Sequence, residues 1–143
     1  MSKSRTVYSG IKNAHSSIVV MFDKILNSDS IKILKKLQEY TILKQKVIAN
    51  NIANVETPGF KAKDVRFVDE FEKALKAGDI ENALNVKPVV YERNDLPVRN
   101  DGNNVNIEKE MVELQKNKMR FEVYSELLRK KYKMIKEMFT DMK

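Results

Sequence analysis

The segment "VIANNIANVETPGF", Val47 to Phe60, holds the most informative local pattern in the chain. It has the pattern of a helix end followed by a turn, yet it contains Asn50, Asn51 and Asn54. Asparagine is a poor helix former because its short amide competes for nearby backbone groups. These amides are therefore expected either to face water near the helix end or to bind backbone at a crowded junction, since buried amides must be satisfied.

Pro58 and Gly59 end this helix. Proline disfavours the helical region at Thr57, the residue before it. The Pro-Gly pair fits the two central positions of a type II turn, where the second residue needs a positive φ. The chain is therefore predicted to turn sharply just after the asparagines.

Two helices are predicted before this turn. Residues 11–26 have apolar side chains at helical spacing, and "NSDS" at 27–30 is a break with good N-cap residues. A long helix then runs from about Ile31 to Val55, roughly 37 Å at the standard rise. The apolar positions of the first helix are Ile11, Ala14, Ile18, Phe22 and Ile25, and those of the second are Ile33, Leu34, Leu37, Tyr40, Val47, Ile48, Ile52 and Val55.

The last segment, Ile107 to about Phe139, gives the strongest signal. Asn106 can cap this helix, and a seven-residue apolar repeat over four heptads indicates a coiled-coil-like helix about 50 Å long. The helix 31–55 covers only part of that stripe, so the rest is predicted to need another chain. The repeat consists of Ile107, Leu114, Phe121, Leu128 and Ile135, with Met111, Tyr132 and Phe139 at the second heptad position.

The middle, residues 60–106, is mixed. "FVDEFEKALKAG" predicts a short helix, "DIENAL" another turn of helix and "PVVYE" a possible short β-strand, while the prolines and asparagines that follow favour extended chain and turns. The fold class is therefore mainly α, with two long terminal helices and a small irregular middle segment.

Composition excludes several functions. The 143 residues include no Cys and only His15, which leaves no thiolate metal site, Cys nucleophile or His cluster. The carboxylates near Asp64 to Glu72 lie among lysines, and the "DGNN" segment lacks the glutamate of a calcium loop, since its twelfth position is Val112. We expect no enzyme, no catalytic residue, no cofactor and no metal site. The sequence also has no apolar run long enough for membrane insertion and no cleavable signal peptide.

The charge of +7 raises one alternative, a basic helical nucleic-acid-binding protein. Its best support is "LLRKKYKMIK", where Tyr132 stands among basic residues. Lys and Glu alternate elsewhere, as in "IEKEMVELQKNK", which favours a solvated helix face and no nucleic-acid partner.

The stretch "ANNIANVETPGFKA", residues 49–62, resembles the signature of the bacterial flagellar rod and hook family, and "KPVVYERNDLPVRNDGNNVNIEKEM" and "RFEVYSELLRKKYKMI" resemble its proximal-rod members. The resemblance covers about Met21 to Phe139. It implies terminal helices that pack as an antiparallel, coiled-coil-like pair in the inner core of a tubular helical assembly. The junction residues that it implies are Ala49, Asn50, Asn51, Ile52, Ala53, Asn54, Thr57, Pro58, Gly59 and Phe60.

The resemblance also implies an organisation and a function. Residues 1–20 are an extra N-terminal extension, 21–57 a helical core segment, 58–106 the irregular middle and 107–143 the C-terminal helix of the core. The expected function is a structural subunit of the proximal rod of the flagellar basal body, with copies of itself and other rod and basal-body proteins as partners and no small-molecule substrate. The expected location is the periplasm-spanning rod, reached through the flagellar type III export system without a cleaved signal peptide.

Overall fold

A computed structural model describes residues 28–140 of the chain, without the side chain of Phe139. The helix predicted over residues 11–26 and the extension 1–20 lie outside the described residues. The elements in chain order are α1 (Asp29–Ala53), β1 (Lys63–Arg66), α2 (Val68–Lys76), α3 (Ile80–Asn85), β2 (Val89–Glu92) and α4 (Ile107–Thr140).

Helices α1 and α4 pack antiparallel. Ile31 at the start of α1 shares an apolar cluster with Ile135 near the end of α4. At the other end of the pair, Asn51 Nδ2 donates to Glu110 Oε2 at 3.0 Å. Residue numbers that rise along α1 therefore meet residue numbers that fall along α4. The predicted pair of long terminal helices is confirmed.

The centre of this helix pair is polar. Asn117 and Thr41 are both fully buried, and Asn117 Nδ2 donates to the Thr41 carbonyl at 2.8 Å. Asn117 Oδ1 is the one buried side-chain N or O atom without a hydrogen-bond partner within residues 28–140. An incompletely satisfied buried amide costs stability, but it fixes the register of two helices as a buried asparagine does in a coiled coil.

An adjacent face of α1 packs on the middle segment. The Tyr40 ring stacks on Phe67 with centroids 5.0 Å apart, and Phe67 stacks on Phe71 of α2 at 4.9 Å. Helix α1 is thus covered by α4 on one side and by the middle segment on another. The buried members of this second cluster are Tyr40, Val47, Val65, Phe67, Phe71, Ala74 and Ala83.

The middle segment contains both short helices and a two-stranded antiparallel sheet. Strand β1 pairs with β2 in a register that places Lys63 opposite Glu92 and Arg66 opposite Val89. The predicted strand in "PVVYE" is confirmed as β2. Strand β1 was not predicted, because "KDVR" has a single apolar residue and no alternating pattern to reveal it.

The apolar end of the helix pair gives a first prediction. Leu128→Ala is expected to lower the free energy of unfolding by about 2–4 kcal/mol, because Leu128 is buried against Ile31 and Leu34. The neighbouring Leu127 is 43% exposed, and Leu127→Ala is expected to cost less than about 1 kcal/mol. Urea unfolding of the two variants measures the difference, and equal losses would contradict this packing.

Candidate functional site

The end of α1 and the loop that leads into α4 form one joined region, residues 49–63 with 99–106, which we call the junction. The Gly59 N–H donates to the Asp101 carbonyl at 2.8 Å. Gly59 and Gly102 both have positive φ, +74° and +82°. A Cβ built on Gly102 would lie 3.2 Å from the Gly59 Cα, so the absence of a side chain at 102 permits this close approach.

Asn51 connects three elements of the junction. Its Nδ2 donates to the Lys63 carbonyl at 2.8 Å, and the Lys63 N–H donates to Asn51 Oδ1 at 2.9 Å. The side-chain amide therefore bonds β1 as the backbone of a neighbouring strand would. Nδ2 also donates to Glu110 of α4, and the side chain is fully buried. Of the two alternatives left by the sequence, Asn51 follows the second, an amide bound to backbone at a crowded junction.

Asn104 is inserted at the open end of the sheet. The Arg93 N–H donates to the Ala62 carbonyl at 2.7 Å, but the reciprocal bond is replaced by the Asn104 amide. The Ala62 N–H donates to Asn104 Oδ1, and Asn104 Nδ2 donates to the Arg93 carbonyl, both at 2.6 Å. The loop before α4 is thereby bonded to both strand ends.

Asn103 binds the end of α1. Its Nδ2 donates to the carbonyls of Asn54 at 2.9 Å and Thr57 at 2.8 Å, and its Oδ1 accepts from the Val105 N–H at 2.7 Å. Each carbonyl also accepts a backbone N–H, Asn54 from Thr57 at 3.0 Å and Thr57 from Phe60 at 3.3 Å. The buried Asn103 amide therefore adds a second hydrogen bond to both carbonyls of the turn that follows α1.

Sequence reasoning placed Asn103 and Asn104 in a turn and missed their role. The predicted antiparallel helix pair could have revealed it. In such a pair the start of one helix lies beside the end of the other, so polar residues just before α4 are candidates to bind the end of α1. Asn106, by contrast, is the predicted cap, and its Oδ1 accepts from the Lys109 N–H at 2.9 Å.

The other motif residues face outward or are half-buried. Asn54 Nδ2 donates back to the Asn50 carbonyl at 2.8 Å, and the Thr57 hydroxyl donates to Asn54 Oδ1 at 3.2 Å. The side chain of Asn50 is exposed and makes no hydrogen bond within the described residues. The motif therefore divides: Ile52, Asn54 and Phe60 are half-buried, and Ala49, Asn50, Ala53, Thr57, Pro58 and Gly59 are exposed.

Charged groups are buried beside Asn51. Lys44 forms an ion pair with Asp64 of β1, and both Lys44 and Glu110 are buried. Burial raises the pKa of Glu110 above its ordinary value, against the opposing effects of the Asn51 hydrogen bond and the Lys44 charge. Loss of solvation outweighs those two contacts, so Glu110 is protonated more readily in the folded chain than a free glutamate is.

The predicted heptad residues of α4 occupy different environments. Leu128 and Ile135 are buried against α1, and Leu114 and Phe121 are half-buried. Ile107, Met111 and Tyr132 are exposed. The face of α4 that contacts α1 is shifted by one residue from the predicted second heptad position, so the polar residues Glu110 and Asn117 are buried there. The Phe139 side chain lies outside the described residues.

A second apolar stripe runs along α4. Its residues recur at spacings of four and seven, which places them along one side of the helix. Each is between 43% and 58% exposed, and we call this set the outer stripe. It consists of Val112, Met119, Val123, Leu127, Met134 and Met138.

The alternatives to a structural role are a metal site, a membrane span and a nucleic-acid-binding surface. Residues 28–140 contain no group of His, Asp and Glu side chains placed to hold a metal ion. No helix among them is long and apolar enough to cross a membrane. In the basic run, Arg129 pairs with Glu126 and Lys133 with Glu137, all on exposed helix surface. That the chain has no nucleic-acid partner stays a prediction, with nucleic-acid binding as the alternative.

Comparison with known proteins bears directly on the junction. Residues 43–61, the second half of α1 and the turn, match the family described as "Flagella basal body rod protein". The chain is 32% identical over 124 residues to the flagellar basal body rod protein FlgB of Bacillus subtilis, covering 80% of this chain and 96% of that protein. The chain belongs to the flagellar basal body rod protein family. It is also 34% identical over 116 residues to FlgB of Borrelia hermsii, covering 68% of this chain and 86% of that protein.

Membership in the rod protein family settles the general function. The chain is a structural component of the flagellar basal body rod, and it assembles with other rod components at that location. A third relative, FlgB of Aquifex aeolicus, is 33% identical over 99 residues, which cover 66% of this chain and 79% of that protein. The family match coincides with the end of α1 and the turn, where Asn51 ties together α1, β1 and α4.

The junction gives a second prediction. Asn51→Ala is expected to lower the free energy of unfolding by about 3 kcal/mol, because it leaves both backbone groups of Lys63 without their partners. Asn50→Ala makes the same exchange at the preceding residue, whose side chain is exposed. Its free energy of unfolding is expected to stay within about 0.5 kcal/mol of the parent value. Urea unfolding compares the two, and similar losses would contradict the role assigned to Asn51.

Glu110 gives a third prediction, on pH dependence. A carboxyl whose pKa is raised by folding stabilises the folded state below its unfolded pKa, and this contribution is lost as the pH rises through the folded pKa. Glu110→Gln keeps an oxygen that can accept from Asn51 but cannot ionise. The stability of this variant relative to the parent is therefore expected to increase between about pH 4 and pH 7. Unfolding curves across this range test it, and a difference that stays constant or shrinks would contradict it.

Proposed function

We propose that the chain is a structural subunit of the proximal rod, which assembles through its terminal helices into a helical tubular rod. The observation that carries the proposal is the outer stripe, a row of half-exposed apolar side chains along a helix of 34 residues. The similarity to FlgB proteins over most of the chain supports the same assignment. The partners proposed are copies of this chain and other rod and basal-body proteins.

Packing supplies the driving force in this proposal. Burial of apolar surface contributes about 25 cal/mol per Å². A few hundred Å² of contact with each neighbour would thus give several kcal/mol, reduced by the cost of ordering the partners. Contacts between different surfaces of successive subunits do not close on themselves and generate helical filaments. The length of the rod must therefore be limited by its other components.

The junction serves the assembly by fixing the direction of α4 relative to α1. Asn51, Asn103 and Asn104 bond side chain to backbone, so they hold the turn without relying on a large apolar core. The exposed half of the motif, including Ala49 and Ala53, offers small side chains against which a neighbouring backbone could pack closely. We propose that this half of the junction faces a neighbouring subunit.

Export through the flagellar type III system, without a cleaved signal peptide, belongs to the same proposal. It is supported by the resemblance to rod proteins and by polar residues such as Lys12 and His15 that interrupt the apolar residues of the first segment.

The outer stripe gives the test of this function. Met119→Asp combined with Val123→Asp is expected to abolish rod assembly and motility, because each carboxylate would be buried against a neighbour without a partner. The monomer should stay folded, since both residues are more than half exposed. Swimming in soft agar and electron microscopy of isolated basal bodies are the measurements.

The control is Val98→Asp, the same exchange at a residue that is 55% exposed in the loop before α4. It is expected to leave motility intact. Circular dichroism of each purified chain verifies that helix content is unchanged. Normal basal bodies in the folded double variant would refute assembly through the outer stripe.

A further inference from the structure

A trench separates α4 from the middle segment, with α1 as its floor. It consists of three hollows of about 830, 350 and 310 Å³. Neighbouring hollows share lining residues, so the trench is continuous. Its α4 wall extends from Glu108 to Tyr124, about 24 Å at the helical rise. The floor is formed by Leu37, Tyr40 and Lys44 of α1.

The middle of the trench holds two hydrogen-bond donors without partners. Arg120 lines two of the three hollows and makes no ion pair or hydrogen bond within residues 28–140. Tyr40 lines the same two hollows and is only 5% exposed, and its hydroxyl has no hydrogen-bond partner in that range either. Burial raises the pKa of the Tyr40 phenol, and the nearby Arg120 charge opposes this effect. A carboxylate is the group that accepts hydrogen bonds from both donors.

The side of α1 that faces away from the trench carries a ridge of exposed residues. They recur at alternating spacings of four and three, which places them on one face of the helix, about 180° around α1 from the floor of the trench. Glu39 lies in this face and makes no ion pair or hydrogen bond within the described part of the chain, and Ile42 is 46% exposed. We call this set the ridge. It consists of Lys35, Glu39, Ile42, Lys46, Ala49 and Ala53.

We propose that the trench of one subunit receives the ridge of a second copy, with Glu39 of one subunit bound to Tyr40 and Arg120 of its neighbour. The two surfaces lie on opposite sides of α1, so the contact repeats from subunit to subunit without closing on itself. Met119 and Val123 of the outer stripe line a further hollow beside Arg120, so the same neighbour covers that part of the stripe. The inference rests on the proposed function, because it names the surfaces through which two copies meet in the rod.

The pattern of charges favours a second copy as the occupant and sets its direction. On the ridge, Glu39 lies between Lys35 and Lys46. In the trench, Arg120 lies between a hollow with four carboxylates and three cations and a hollow that includes Glu72 of α2. With Glu39 at Arg120, Lys46 lies about 10 Å further towards the first hollow when the two α1 helices run parallel. Lys35 then lies on the side of Glu72, so each charge of the ridge meets its opposite.

Charge reversal with compensation tests this pairing. Arg120→Glu and Glu39→Arg are each expected to lower the number of basal bodies per cell at least about fivefold, because each places like charges at the contact. A chain with both changes restores the opposite charges and is expected to recover at least about half of the parent number. Lys118→Glu is the matched control, since it reverses another exposed cation of α4 about 200° around the helix, and no loss is expected. Circular dichroism of each purified chain verifies the fold.

The combined variant decides who occupies the trench. If both single changes reduce assembly and the combined chain does not recover, the proposal is overturned and Arg120 is assigned to a different partner. Normal assembly in either single variant, or an equal loss in the Lys118→Glu control, would also overturn it. All of these variants leave the outer stripe intact, so their normal assembly refutes this contact without refuting the proposed rod function.

Disulfide formation inside the rod tests the geometry, because the chain contains no cysteine of its own. Ile42→Cys combined with Val68→Cys places one thiol on the ridge and one in the wall of the trench. Oxidation of isolated basal bodies is expected to give a ladder of linked multimers, whereas a contact between identical surfaces would stop at dimers. Ile42→Cys with Val98→Cys is the control and is expected to give no ladder, since Val98 is exposed in the loop before α4. Assembled rods without a ladder, dimers as the only product, or an equal ladder in the control would overturn the proposal.

Discussion

The fold depends on the pairing of the Asn51 amide with the backbone of Lys63. This one side chain bonds β1 on its outer edge and at the same time reaches Glu110 of α4. At the junction, helix α1 thus binds both the sheet and the second long helix through the same buried amide. The preference of asparagine for backbone groups, which makes it a poor helix former, is what the junction requires of it. Asn103 and Asn104 repeat the principle from the opposite loop, so three amides connect the elements at the point where the chain leaves the long helix.

This arrangement explains how a chain with a modest core presents a long helix face. The apolar contacts of α4 with α1 include the cluster of Leu128 and Ile135 with Ile31 and Leu34 at one end of the pair, while the other end is held by polar contacts. The register is specified by hydrogen bonds and needs no continuous apolar seam. The apolar residues of the outer stripe consequently stay between 43% and 58% exposed, and this is the surface that we propose rod neighbours cover.

The sequence predicted the elements with strong local signals. The seven-residue repeat and the Pro58-Gly59 turn anticipated α4 and the end of α1, and the helix pair is as expected. It did not reveal Asn103, Asn104 or Asn117, because an amide in a loop or on a helix has the same local pattern whether it faces water or a partner distant in sequence. The burial of Glu110 was hidden for the same reason, since a glutamate in the first turn of a helix is favoured by the helix dipole alone.

The proposed assembly requires that neighbouring subunits cover the outer stripe in the rod. Its most direct test is the reactivity of a single thiol at Met119→Cys towards a maleimide, measured in isolated basal bodies and in the purified subunit, with Val98→Cys as the reference position. The thiol at position 119 is expected to react at least about tenfold more slowly in basal bodies than in the free subunit, since burial excludes the reagent. Equal reactivity of position 119 in the two preparations would contradict it.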